Sequence, residues 1–148
     1  MIRNVLVVCV GNICRSPLGE RLLARAAPHL VVTSAGIGAL VGSAADPTAH
    51  DVAASHDVSL DGHTSRQFTA EMGRAADLIL VMEPGHKAQI ARDTPQLSGK
   101  TMLFDHWTGA AGIADPYKRS AEFHELVFQK IEIAAAGWLK KLPNPGDV

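Results

Sequence analysis

The chain reads as an α/β fold: a single doubly wound domain, residues 1–148, with a four-stranded parallel sheet flanked by helices. Three observations predict it. The apolar runs are short and unbroken, as in Val5-Leu-Val-Val-Cys-Val10, which is how a parallel strand covered on both faces reads. These runs alternate with segments that open on a cap residue followed by proline, as in Ser16-Pro17 and Asp46-Pro47, where the missing N–H of proline costs nothing. Finally, 148 residues with 47% hydrophobic and 20% charged content suffice for one buried core, and two domains would be crowded.

Taken in order, residues 4–9 are the first strand, rich in Val and Leu. Ser16 caps and Pro17 opens a helix to about Ala27, stopped by Pro28. Leu30-Val-Val-Thr33 is the second strand, and residues 35–45, with Gly36, Gly38 and Gly42, form a loop. Asp46-Pro47 opens a second helix to about His56. After an irregular stretch through Gly62 to Arg66, Thr69 caps a short helix. Leu78 to Met82 is a third buried strand, Pro84 to Arg92 another helix, and Thr101 to Phe104 the fourth strand. A long loop with Gly109, Gly112 and Asp115-Pro116 leads to the last helix, capped by Ser120 and closed by Pro143 and Pro145. Its apolar residues Phe123, Val127, Ile131, Ala134, Trp138 and Leu142 recur every three or four positions.

Composition narrows the function. Fourteen Lys and Arg against fifteen Asp and Glu give a formal charge of −1, so the basic surplus that drives nucleic-acid binding is missing. No apolar run approaches the 18 or so residues of a membrane span, so no membrane insertion is expected. The N-terminus lacks the pattern of a signal peptide, which makes the cytoplasm the expected location. Two cysteines can neither frame disulfides nor fill a structural zinc site, and no His-x-x-x-His spacing occurs; neither a metal nor another cofactor is expected. Both cysteines, Cys9 and Cys14, fall in one short segment, which points to chemistry rather than scaffolding.

That segment, Cys9-Val-Gly-Asn-Ile-Cys-Arg15-Ser16-Pro17, lies between a buried strand and a helix start, where ligands bind in doubly wound folds. Its amides can converge on one point with the helix dipole behind them, making a nest for an anion. It is no nucleotide P-loop, since no Gly-Lys-Ser/Thr follows, and no dinucleotide fingerprint, since Gly11 has no glycine two residues on. The cradle suits one phosphate-sized group. A Cys9 thiolate at its mouth would be stabilised by the amides, the helix N-terminus and Arg15, and would serve as a nucleophile at neutral pH. Arg15 carries the planar fork that grips two phosphoryl oxygens at once.

The run Val8-Cys-Val-Gly-Asn-Ile-Cys-Arg-Ser-Pro17 resembles the low-molecular-weight protein tyrosine phosphatases. The likeness continues through Thr33 to Gly36, Asp46-Pro47, Gly62-His63, Arg66-Gln67, Leu78 to Glu83 and Asp115-Pro-Tyr117, nearly the whole chain. It is most similar to the bacterial branch that accompanies capsule and exopolysaccharide assembly. The resemblance implies that Cys9 attacks phosphorus and forms a phosphocysteine. Arg15 and the amides of Val10, Gly11, Asn12, Ile13, Cys14 and Ser16 would hold the equatorial oxygens. Asp115 would protonate the leaving phenolate and then draw a proton from the hydrolytic water, with no metal. It further implies that Ser16 hydrogen-bonds the thiolate, that Asn12, Ser34 and His63 form a network holding the loop, and that Leu40 and Tyr117 wall the substrate cleft. The implied partner is a phosphotyrosine protein, a membrane-bound tyrosine autokinase with a tyrosine-rich tail.

Blander roles stand beside these. Cys9 is alternatively a packed strand-end cysteine, Asp115 a turn former before Pro116, and His63 a surface histidine. Cys14 reads equally as inert packing or as a redox partner of Cys9. Histidines 29, 50, 56, 86, 106 and 124 read as surface or capping groups, and Trp107 and Trp138 as anchors. Lys118 stands where many relatives of the resembled family carry a second aromatic residue. Three rival functions remain. An arsenate reductase on this fold needs two downstream cysteines, and none follows Cys14. A phosphoarginine phosphatase shares nucleophile, arginine and acid but favours threonine where Ile13 stands. A binding module needs neither nucleophile nor acid.

Overall fold

The computed structural model describes residues 1–144 and 146. Strand β1 (Asn4–Cys9) is central, with β2 (Val31–Gly36) on one side, β3 (Leu78–Val81) on the other and β4 (Thr101–Leu103) beyond β3, every pair parallel. The chain therefore winds from β1 to one edge and returns to the other, which opens a crevice at the carboxyl ends of the strands beside β1. β1 buries every residue from Val5 to Cys9 because both faces are covered. Val5, Val7 and Cys9 face helices α1 (Arg15–Ala26), α2 (Pro47–Ser55) and α5 (Ala121–Leu139). Leu6 and Val8 face α3 (Ala70–Ala75) and α4 (Pro84–Asp93), packing with Ile79, Val81, Ile90 and Leu97.

Three expected caps are present. Asp46 accepts from the Ala49 amide at 3.0 Å, Thr69 from Met72 at 3.2 Å and Ser120 from Phe123 at 3.2 Å. The α5 stripe is buried at Val127, Ile131, Ala134 and Trp138, with Leu142 buried beyond the helix and Phe123 half-buried. No helix among the described residues is long and apolar enough to cross a membrane.

Several expectations need correction. Ser16 does not cap α1: the helix begins at Arg15, the Cys14 side chain makes no cap bond, and Ser16 is wholly buried within the first turn. Its hydroxyl is engaged with Cys9 instead, so no side chain consumes the helix's first amides. β2 runs to Gly36 rather than Thr33, since pairing with β1 carries it on until Cys9 sits opposite Gly36. That glycine marks close approach, because a Cβ there would collide with the Val10 carbonyl oxygen. A 3-10 turn over Pro95–Lys100, unforeseen, connects α4 to β4. α5 ends at Leu139, ahead of Pro143, and Pro145 lies outside the described residues. His86 and His124 are buried at 7% and 4% exposure rather than surface groups, each drawn to a carboxylate, Glu83 and Asp46 respectively.

Candidate active site

The loop after β1 sits at the sheet's crevice, and its carbonyls all point outward. Cys9, Val10 and Gly11 accept at their carbonyls from the amides of Ile37, Gly38 and Leu40 at 3.0, 3.0 and 3.1 Å. Asn12 accepts from His63 Nε2 and Ile13 from the Asp46 amide at 2.9 Å. A peptide plane whose C=O points out turns its N–H in. Among the described residues, the amides of Gly11 to Cys14 donate to no protein group, so they converge on the space above Cys9. Asn12 makes the turn at φ 59°, a left-handed conformation that asparagine tolerates better than most residues.

Behind the loop, polar side chains hold that strained turn. Asn12 Nδ2 donates to Ser16 Oγ at 2.8 Å and to Ser34 Oγ at 3.0 Å, while its Oδ1 accepts from the Arg66 amide at 2.9 Å. Ser34 in turn donates to Glu20 Oε1 at 2.8 Å. Because Ser16 Oγ already accepts from Asn12, its own proton is free for Cys9 Sγ, 2.9 Å away. His63 must carry its proton on Nε2 to bond the Asn12 carbonyl.

Arg15 is 1% exposed. Its Nη1 donates to Glu83 Oε2 at 2.8 Å and to the Ile113 carbonyl at 2.7 Å, which fixes the guanidinium plane. Nε has no partner and Nη2 has only Asp115 Oδ2, 3.7 Å away, so the Nε/Nη2 edge is presented to an incoming anion. Asp115 is nearly half exposed at the rim and held by an Asx turn, accepting from the Tyr117 amide at 3.0 Å. The cleft between them has a volume of about 140 Å³. Cys9, Val10, Gly11, Ile13, Cys14 and Arg15 line its floor, with Leu40, Asp115 and Tyr117 at its walls. Asn12, Ser16, Ser34 and His63 lie behind the loop rather than in the cleft.

Cys14 is buried and free, and its thiol is pushed up chiefly by burial, then by Asp46, Cys9 and Asp115, so it stays protonated. Four contributors escaped the sequence reading: Glu83 on Arg15, Glu20 on Ser34, the Ile113 carbonyl, and Gln67. Gln67 binds the loop bearing Leu40 by accepting from Ala39 N at 2.9 Å and donating to Ile37 O at 3.0 Å. Their partners lie 14 to 98 residues away in the chain, and no local pattern announces such pairs.

Inward amides, an arginine edge and a thiol at the floor equip an enzyme for phosphoryl transfer through cysteine, and relatives say which one. Residues 4–146 match the family described as low molecular weight phosphotyrosine protein phosphatase, and the chain belongs to that family. It is 52% identical over 142 residues, 96% of this chain and 99% of the relative, to the probable low molecular weight protein-tyrosine-phosphatase AmsI of Erwinia amylovora. The crystal structure of the tyrosine phosphatase Wzb from Escherichia coli K30 in complex with sulphate superposes with a TM-score of 0.95 at 48% identity, covering 97% of this chain and 100% of that one. The arginine phosphatase YwlE from Geobacillus stearothermophilus shares the fold at a TM-score of 0.88, but with 32% identity over 95% of this chain and 92% of that one. The protein is accordingly a protein-tyrosine phosphatase.

Proposed function

We propose that the chain, as one catalytic domain, hydrolyses phosphotyrosine in proteins through a phosphocysteine on Cys9. The observation that carries this reading is the loop whose carbonyls are tied outward while its unpartnered amides and the free edge of Arg15 share one cleft with Cys9. In the first step Cys9 Sγ forms a bond to phosphorus as the phosphorus–phenol oxygen bond breaks, and Asp115 gives its proton to the departing oxygen. The equatorial oxygens stay on the loop amides and Arg15, whose geometry needs no change as charge redistributes. Asp115, now ionised, takes a proton from water attacking phosphorus. The sulfur then leaves as thiolate toward the Ser16 hydroxyl and phosphate is released.

Cys9 is 3% exposed, which favours a long substrate side chain, and Ile13, Leu40 and Tyr117 offer a ring apolar and aromatic faces. A guanidinium passing the same walls loses hydration without compensating bonds, at a cost of roughly 1–3 kcal/mol, about tenfold to a hundredfold in preference. The physiological substrate on this reading is a tyrosine autokinase of capsule or exopolysaccharide assembly with a tyrosine-rich tail, met in the cytoplasm. The test is kcat/KM for matched phosphotyrosine and phosphoarginine peptides in wild type and Ile13→Thr, with Cys9→Ser as the inactive reference. Wild type should favour phosphotyrosine, and Ile13→Thr should narrow the ratio. Preference for phosphoarginine, or an unchanged ratio, contradicts the substrate assignment.

A further inference from the structure

We propose that Asp105 is a positioning residue for the reaction, holding the loop that carries Asp115 to the cleft through its hydrogen bond to Gly112. The loop leaves β4 just before Phe104, which is fully buried and whose amide donates to Val81 O at 2.7 Å. Asp105 then gathers the loop at three points: its carbonyl accepts from the Thr108 and Ala110 amides at 3.0 and 2.9 Å, and its Oδ2 accepts from the Gly112 amide at 3.0 Å. Ala110 stands at φ 55°, a left-handed conformation costly for a residue with a Cβ, so the surroundings impose it, and Gly112 stands at φ 93°, which glycine adopts without strain.

What Gly112 does matters at once downstream. The amide of Ile113 donates to Met82 O at 2.8 Å, and its carbonyl accepts from Arg15 Nη1 at 2.7 Å. Two residues later comes Asp115. On its outer side a cleft of about 220 Å³ lined by Asp105, Thr108, Gly112, Ile113, Lys130 and Ile133 lies against the loop, while on its inner side Ile113 is buried in the core. The Asp105 carboxylate ties Gly112, one residue ahead of the Ile113 backbone bonds to Met82 and Arg15. It is 7% exposed, and its Oδ1 has no partner, a burial that stability alone does not reward. Arg15 keeps Glu83 if the tie is cut, and Ile113 keeps its own amide bond to Met82, so the loss should fall on Asp115 more than on phosphate binding.

The inference rests on the reading of Asp115 as the general acid, and its test separates the two. kcat/KM, which reports the step in which the phenolate leaves, is measured for aryl phosphates of differing phenol pKa in wild type, Asp105→Ala, Asp105→Asn and Asp115→Asn. Asp105→Ala should lose about tenfold on phenyl phosphate and at most about twofold on 2,4-dinitrophenyl phosphate, the pattern of Asp115→Asn at smaller amplitude. Asp105→Asn, which keeps an acceptor for Gly112, should stay within about twofold of wild type. Where Asp105→Ala does not melt cooperatively, Asp105→Ser, too short for the bond, carries the same expectation. A uniform loss across the phenols, no loss in a folded variant, or Asp105→Asn as impaired as Asp105→Ala overturns the proposal. A uniform loss in folded Asp115→Asn overturns the general-acid reading and the proposal with it.

Discussion

Arg15 poses the sharpest problem at the scale of one residue, since a buried guanidinium is costly unless its charge is met. Glu83 meets it, and behind Glu83 lies His86, its Nε2 3.2 Å from the same Oε2 that receives Arg15. Burial lowers the His86 pKa below its ordinary 6.5; Glu83 opposes this, Arg15 adds to it, and Asp115 opposes it more weakly. The neutral ring lies beside the carboxylate, with Nδ1 buried and without a partner. A histidine whose folded pKa is depressed binds its proton more readily unfolded, so stability falls as pH drops from the ordinary value toward the folded one. Urea midpoints should therefore decline from pH 7 to pH 5 more steeply in wild type than in His86→Gln. Parallel declines would show that His86 is not the linked group.

The element that matters most is α1, because its first turn carries Arg15 and Ser16. It seats on the sheet through Gly19, where a Cβ would stand 2.9 Å from Phe104 Cε2 and 3.2 Å from Val7 Cγ1. Gly19→Ala sets a helix-propensity gain of about 1 kcal/mol against overpacking of about 1–3 kcal/mol. Phe104 is fully buried and cannot give way cheaply, so overpacking should win. Unfolding free energy should fall by about 1 kcal/mol, with kcat/KM reduced as the first turn shifts; a stabilised, fully active variant would contradict this seating. Elements whose ends are local were legible in the sequence: Asp46, Thr69 and Ser120 each cap from their own three-residue surroundings. Ser16-Pro17 signals a cap, yet here the pair stands inside a first turn whose amides no side chain takes and the Ser16 hydroxyl goes to Cys9. The end of β2 is not legible locally, because Gly36 reads as a loop residue until the Val10 backbone stands against it.

At the scale of the molecule, the strand order β2-β1-β3-β4 puts the end of β1 at the crevice, so the residues most compactly written in sequence are those the fold gathers there. Cys9 to Ser16 could be read as an anion loop because eight consecutive residues build it. Leu40, Asp115 and Tyr117 came only through family resemblance, yet they line the same cleft. Glu20 and Glu83 are hidden in the sequence because their partners lie 14 and 68 residues away, and Asp105 and His86 because their nearby partners meet them only through the shape of a loop and of a helix start. They make up the support of the site: one carboxylate behind Ser34, one on Arg15, one on the Asp115 loop and an imidazole behind them. On this mechanism phosphoryl transfer passes through Cys9. Its most direct measurement is rapid acid quench of wild type turning over a phosphotyrosine peptide, followed by mass spectrometric location of the phosphoryl group. One phosphoryl group is expected on Cys9 and none in Cys9→Ser; a phosphoryl group on any other residue, or turnover by Cys9→Ser at the wild-type rate, rules that route out.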